Sequence, residues 1–309
     1  MEKIVITGAA GLVGLNLVTR LKKQAGLRLV AIDKHAANVA ILRRLHPDIE
    51  VIEADLSEAG AWQAAFAGSD AVVMCHAQIG GVNKADFIRN NVVATGHAIA
   101  AARAAGIRYL VHISSSVINS QAVDFYTETK KEQEELVSRC GIPSVVLRPT
   151  LMFGWYDRKH LGWLRRFMAR SPIFPIPGDG AYIRQPLYVG DFVAIILACL
   201  AGRRQGSFDI SGLERVSYVD LIRQIRDVVG ARTCIVHIPY RLFWWMLRVH
   251  ALFDSAPPFT VHQLEALIIP EEFPVTDWPR LFGVTPTPLR QALAETYLDR
   301  AHSDIVLAF

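Results

Sequence analysis

A doubly wound parallel α/β sheet, closed over by a smaller carboxy-terminal lobe, is the fold the sequence predicts, on three observations. Short β-branched runs alternate with longer helical ones up to about residue 148, the pattern of strand-helix units whose parallel sheet is covered on both faces. A glycine-rich octapeptide, Thr7 to Gly14, stands between the apolar run Lys3-Ile4-Val5-Ile6 and a helix-like Leu15 to Leu21. After Arg148-Pro149 the texture changes, with Pro172, Pro175, Pro177, Gly178 and Gly180 crowded into one stretch that reads as loop and turn.

Taken in order, strands are expected at residues 4–7, 29–32, 51–53, 71–75, 109–113 and 144–147, giving a sheet of at least six strands. Helices are expected at 12–23, 61–66, 87–105 and 125–139. Farther on, helices at 192–201 and 218–229 and strands near 208–210 and 234–238 are expected, and the chain from about residue 260 reads as proline-rich and irregular. Residues 1–170, with a later contribution from about 186–212, would form a Rossmann-type dinucleotide-binding domain. Residues 171–309 would form the substrate lobe, placed over the strand ends where ligands bind in open α/β sheets.

The octapeptide needs glycine for physical reasons. One allows the tight strand-to-helix turn, one lets backbone approach a pyrophosphate, and one permits close helix packing, while the helix N-terminus aims unpaired N–H groups at the phosphates. The second strand ends in Asp33, 19 residues after Gly14, where an acid is wanted for the adenosine ribose diol. A carboxylate there repels a further phosphate of about two negative charges, so NAD is expected in preference to NADP. Lys34 and His35 follow immediately and could soften that preference.

Composition excludes several classes. The chain has 309 residues, is 51% hydrophobic and carries a net charge of +4 from 33 basic and 29 acidic residues, enough for a sizeable core and without the basic stripe that nucleic acid requires. The four cysteines, Cys75, Cys140, Cys199 and Cys234, are far apart; they suggest neither disulfide framework nor metal site, and read as reduced core residues of a cytoplasmic protein. No secretory signal precedes the first strand. The apolar stretch from Tyr240 to Phe253 is interrupted by arginines and is shorter than the roughly 20 residues of a membrane span.

Tyr126 and Lys130 are four apart in an expected helix and so share a face. A phenol titrating near 10 is a poor base at neutral pH, and an adjacent ammonium with an oriented nicotinamide charge could lower it toward 7. The pair follows His112-Ile113-Ser114-Ser115-Ser116 by one strand-helix unit.

In this ordered series the chain resembles an extended short-chain dehydrogenase/reductase of the NAD-dependent epimerase/dehydratase type, from Lys3 to about residue 229. The carriers are the glycine turn, Asp33, Asp55-Leu56, Cys75-His76-Ala77, Asn91, the serine run, Tyr126-Thr127-Glu128-Thr129-Lys130, Arg148-Pro149-Thr150, and Gly178-Asp179-Gly180 with Arg184 and Asp191. The resemblance implies that Tyr126 moves the substrate hydroxyl proton, that Lys130 holds the nicotinamide ribose and lowers the tyrosine pKa, and that a serine bonds the same substrate oxygen. Ser115 is the best match, with Ser114 and Ser116 still open. It also implies that Asp55 reaches the adenine and that Ala77 lies against the cofactor through its backbone. With the turn residues Gly8, Ala10, Gly11, Leu12 and Val13, the cofactor set is completed by Asp33, Lys34, Leu56, Asn91, Tyr126, Lys130 and Pro149. No metal is implied.

Many relatives act on nucleotide sugars, and Arg184 stands where they clamp a diphosphate, a task suited to a bidentate guanidinium; Ser116 would also face the substrate. Leu151 replaces an asparagine that commonly touches that diphosphate, and Ser116-Val117 replaces the acid pair of the 4,6-dehydratases, so elimination of water is not expected. The loop from Gly154 to His160 could contact substrate, with His160 read foremost as a solvated loop residue.

A nucleotide-sugar epimerase or keto-reductase is thus the leading reading. A dehydrogenase of a hydrophobic or lipid-linked alcohol is the alternative, motivated by Leu151 and the cluster Phe243-Trp244-Trp245-Met246-Leu247. That cluster reads foremost as lobe core or dimer contact, and otherwise as an interfacial helix at a membrane surface. A non-catalytic dinucleotide-binding scaffold, like the family's accessory subunit of respiratory complex I, ranks last because Tyr126 and Lys130 are intact. The resemblance also implies a homodimer through the helices expected at 87–105 and 125–139.

Overall fold

Strands β1 (Glu2–Thr7), β2 (Leu27–Asp33), β3 (Glu50–Glu53), β4 (Ala71–Met74), β5 (Tyr109–Ile113) and β6 (Ser144–Pro149) join a seventh, Gly206–Ile210, in one sheet. The computed structural model describes the chain except at residues 1, 25, 121–123, 159–160, 251–263, 265–266, 269–272 and 309. The order across the sheet is Gly206–Ile210, β6, β5, β4, β1, β2, β3, and every pairing is parallel. Alternate side chains explain why both faces are covered: Ile4 and Ile6 of β1 enter one hydrophobic core and Val5 the other, as a period-two backbone requires. The order reverses between β1 and β4, which opens a crevice at their carboxyl ends.

Helix α1 (Leu12–Leu21) buries Leu15, Leu17, Val18 and Leu21 and packs on the long apolar helix Val189–Gly202. Beyond β6 the chain adds helices Gly162–Met168 and Tyr218–Val229 and a parallel two-stranded ribbon, Ile173–Pro177 with Cys234–Ile238.

The expected doubly wound α/β fold is the one observed, with four local differences. The helix expected at 87–105 is broken into Lys84–Phe87, a wide π turn Ile88–Val93, and Ala94–Ala104. Buried Asn91 sits in that turn and grips a neighbouring loop, a non-local bond invisible to periodicity. The irregular tail holds helices Trp278–Phe282 and Leu289–Leu298. Proline stands in the first turn of one and at the N-cap of the other, where it starts a helix rather than breaking it. Cys234 is exposed rather than core. The apolar segment from Tyr240 forms helix Tyr240–His250; Phe243, Trp244 and Leu247 are half-buried while Trp245 and Met246 are exposed, and none of the five belongs to either hydrophobic core.

Candidate active site

The glycine turn fills the crevice mouth between β1 and α1. Gly8 has φ +66, and a Cβ there would stand 2.5 Å from the His76 amide nitrogen; only glycine takes this backbone without strain. At Gly14 a Cβ would meet the Gly8 carbonyl oxygen at 2.3 Å, so this position sets how closely α1 approaches the turn. Gly11 has open space apart from that same oxygen at 3.4 Å and is the N-cap of α1 without a side-chain cap. The leading amides of α1 thus face a cleft of about 540 Å3 lined by Gly8, Gly11, Asp33, Lys34, Asp55, Leu56, Ala77 and others from the loop after β4.

Asp33 ends β2 with its carboxylate anchored: Oδ2 accepts from the Ala10 amide at 2.9 Å and Oδ1 from the His35 amide at 2.9 Å. A carboxylate has about four acceptor sites, so two lone pairs remain for a ribose diol. Lys34 is engaged elsewhere, its Nζ 2.5 Å from Asn90 Oδ1 and 3.4 Å from Asp55 Oδ2. The cation that might have welcomed a ribose phosphate is thus paired. Asp55 also accepts from the Ser57 amide and hydroxyl and from Arg89. Partial burial pushes its carboxyl up, but the Ser57 bonds and the charges of Lys34 and Arg89 outweigh that and hold it below the ordinary range.

Helix Phe125–Ser138 carries Tyr126 and Lys130, capped by Asp124, whose side chain accepts from the Thr127 amide. Lys130 is fully buried and its Nζ donates to the Ile113 carbonyl at the end of β5, 2.9 Å away. Burial lowers its pKa to about 7, against the opposing pull of Glu134 and Cys75. Glu134 is itself held by a fork from Arg148 on β6 at 3.0 and 2.7 Å. Of the three serines, Ser115 is the one whose side chain exerts a lowering pull on the Tyr126 phenol. Ser114 is buried with no partner for Oγ among the described residues, and Ser116 is half-buried in the short turn that Ser115 caps.

The Tyr126 phenol lies above its ordinary value, because burial outweighs the lowering effect of the Ser115 bond and Asp124 adds to the rise. Lys130 exerts no resolved pull on it.

Other sequence candidates fall in different places. Asn91 is wholly interior, its Oδ1 accepting from the Gln78 amide at 2.6 Å and its Nδ2 donating to the Gln78 carbonyl and to Thr129 Oγ1; it ties the loop after β4 to the Tyr126 helix. Leu12 and Val13 are half-buried on α1 and packed against the core. Pro149 ends β6 opposite Ile210. Arg184 is buried, Nη1 donating to the Ile183 carbonyl and the guanidinium lying 5.2 Å from the Tyr182 ring. His160 lies outside the described residues. Sequence reasoning gave no role to His76, which lines the cleft between Thr7 Oγ1 at 2.7 Å and Thr95 Oγ1 at 3.0 Å. Gln133 donates to that same threonine, and burial takes the imidazole pKa to about 3, so the ring is neutral near pH 7. Its partners lie 69 and 19 residues away, too far for any local signal.

These features fit a dinucleotide: a turn with no room for a side chain at Gly8 or Gly14, a diol acceptor at the end of β2, and an ammonium with two of its three donors uncommitted. The NAD dependent epimerase/dehydratase family matches residues 4–210. A ceramide reductase from Caulobacter vibrioides is 26% identical over 76% of this chain and 73% of its own length. A 2-alkyl-3-oxoalkanoate reductase from Stenotrophomonas maltophilia is 27% identical over 92% of this chain and 94% of its own. Among solved structures, UDP-glucuronic acid 4-epimerase from Bacillus cereus in complex with NAD superposes with a TM-score of 0.76 at 20% identity, over 97% of this chain and 99% of that one. The chain belongs to the NAD-dependent epimerase/dehydratase family and is an NAD-dependent enzyme of the extended short-chain dehydrogenase/reductase type.

Proposed function

We propose that the chain is an NAD-dependent reductase or dehydrogenase acting on a ketone or secondary alcohol borne by a hydrophobic molecule. The observation that carries this reading is the exposed apolar surface on the loop after β4, beside Tyr126 in sequence and after β6. Ile79, Val82, Phe125 and Leu151 are all exposed large hydrophobics. Ile79 lines the cleft, and the Phe125 ring lies tilted against that of Phe87 with centroids 5.9 Å apart, Phe87 adjoining Gly81 in the same loop. Such surface binds alkyl or ring carbon better than phosphate. The two curated relatives are reductases whose named substrates carry alkyl chains, in keeping with it.

NAD, held by Gly8, Gly11, Asp33 and Lys130, supplies hydride exchange at its nicotinamide ring. The rest falls to the chain's own side chains. In the reducing direction Tyr126 gives its phenolic proton to the carbonyl oxygen while Ser115 bonds the same pair. A phenol held above its ordinary pKa keeps that proton at neutral pH, the state a general acid requires. Lys130 Nζ, with one donor on Ile113, offers the other two to the ribose.

A second reading, a nucleotide-sugar epimerase or keto-reductase, is favoured by Arg184, a buried guanidinium backed by an aromatic ring where a diphosphate clamp is expected. NADH oxidation should be followed with long-chain 3-oxo compounds and steroid ketones, and sugar exchange with UDP-glucose and UDP-glucuronic acid. Turnover of the apolar ketones, lost in Tyr126→Phe, is expected. Turnover of a UDP-sugar alone, abolished by Arg184→Ala, would transfer the assignment to the second reading.

A further inference from the structure

We propose that the outer face of helix Tyr240–His250 docks the enzyme onto an anionic lipid surface. The helix carries apolar residues at i, i+3, i+4 and i+7 on its solvent side: Leu242 is 54% exposed, Trp245 63%, Met246 52% and Val249 50%. Its other side, with Phe243, Trp244 and Leu247, is half-buried. Exposed hydrophobic residues continue on the ribbon that leads into the helix, where Ile173 and Cys234 are paired and Val236 stands two residues on.

Charge identifies the occupant. Residues 228–253 contain no Asp or Glu, but contain Arg232, Arg241 and Arg248. These three are exposed and, among the described residues, none faces a carboxylate; Arg248 instead lies 5.3 Å from the Trp244 ring. An apolar stripe with an outward tryptophan and arginines at its margin matches a bilayer interface, where the stripe enters the acyl boundary and each cation near the headgroups adds about 1 kcal/mol, or about fivefold. A second copy of the chain fits less well. A two-fold contact of this face with itself brings like-charged margins together with no carboxylate in 228–253 to offset them. At 11 residues the helix lies on a membrane rather than crossing it, and no helix among the described residues is long and apolar enough to cross.

This docking does not depend on which alcohol the site oxidises, although it would bring a lipid-borne one within reach. The test is co-sedimentation of the full chain with phosphatidylcholine vesicles, with and without phosphatidylglycerol, at low and high salt. Binding to the anionic vesicles, weakened by salt, is expected. Trp245→Asp with Met246→Asp should lower partitioning by at least about tenfold, while Arg241→Gln or Arg248→Gln should weaken anionic binding about fivefold each. All these side chains are exposed, so thermal melts and NAD binding should be unchanged and serve as controls for folding. If the intact chain stays in the supernatant with both vesicle types, the proposal fails. It also fails if size-exclusion chromatography shows a dimer that Trp245→Asp with Met246→Asp dissolves, since the stripe would then belong to a second copy. Failure here leaves the substrate assignment standing, because that is read from turnover of soluble ketones.

Discussion

Lys130 shows how a residue can serve chemistry against stability. Its ammonium is fully buried with a single bond to the Ile113 carbonyl, and desolvation, the leading cause, takes its pKa from 10.5 to about 7. The unfolded lysine keeps its proton up to about 10.5 and the folded one only to about 7, so between these values the unfolded state binds more protons and stability rises with pH. Below 7 both states are charged and the full penalty applies. Lys130→Met removes the ionisable end while keeping most of the volume. Thermal melts at pH 7 should show a variant at least as stable as the parent, with a flatter profile between pH 7 and 10. Steady-state turnover should fall about 10²-fold or more. A variant that melted well below the parent at pH 7 would mean that the Ile113 bond outweighs the buried charge. Spacing alone placed Lys130 and Tyr126 on one helix face, but the rise in the phenol pKa follows from burial, which spacing does not report.

At the scale of elements, the strand-turn-helix unit β1–α1 divides its glycines between fold and ligand. A methyl at Gly14 would sit 2.3 Å from one backbone oxygen and 2.6 Å from the Ala9 Cα, and backbone cannot rotate aside. Gly14→Ala should therefore destabilise the protein by about 1–3 kcal/mol, as overpacking does, and lose NAD binding with it. At Gly11 the nearest atom is 3.4 Å away and the surface faces the cleft. Gly11→Ala should leave the urea midpoint nearly unchanged while weakening NAD in a fluorescence titration. Equal effects from both variants would contradict this division of labour. The turn was legible from the octapeptide because its geometry is local. The π turn Ile88–Val93 was not, because it exists to let Asn91 reach Gln78 and Thr129, 13 and 38 residues away.

At the scale of the whole molecule, folding holds three histidines neutral among the described residues. Burial takes His46 to about 4 and His76 to about 3, and puts His112 well below its ordinary 6.5. In the unfolded chain each protonates near 6.5, so the stability their neutrality represents is present above that pH and is lost as pH falls below it. Each can contribute a slope of up to about 1.4 kcal/mol per pH unit. Urea midpoints should fall steeply from pH 6.5 to 4.5, above the range where most carboxylates titrate. Neither ring nitrogen of His112 has a partner among the described residues, so His112→Leu should remove about one proton's worth of that slope. An acid limb with the same slope in the variant would show that His112 is protonated in the folded state.

The sequence by itself determined the parallel sheet, the dinucleotide turn, the acid at the end of β2, and the helix that carries Tyr126 and Lys130. Each depends on periodicity or on spacing within a few tens of residues, and the hydrophobic effect and backbone sterics act at that range. Only the tertiary structure decided which serine pulls on the Tyr126 phenol, that burial raises the phenol and lowers the ammonium, that Lys34 is paired with Asp55, and which side of the tryptophan helix faces water. Those are matters of desolvation and of contacts between distant segments, and a side chain's dielectric surroundings exist only once the chain has closed around it.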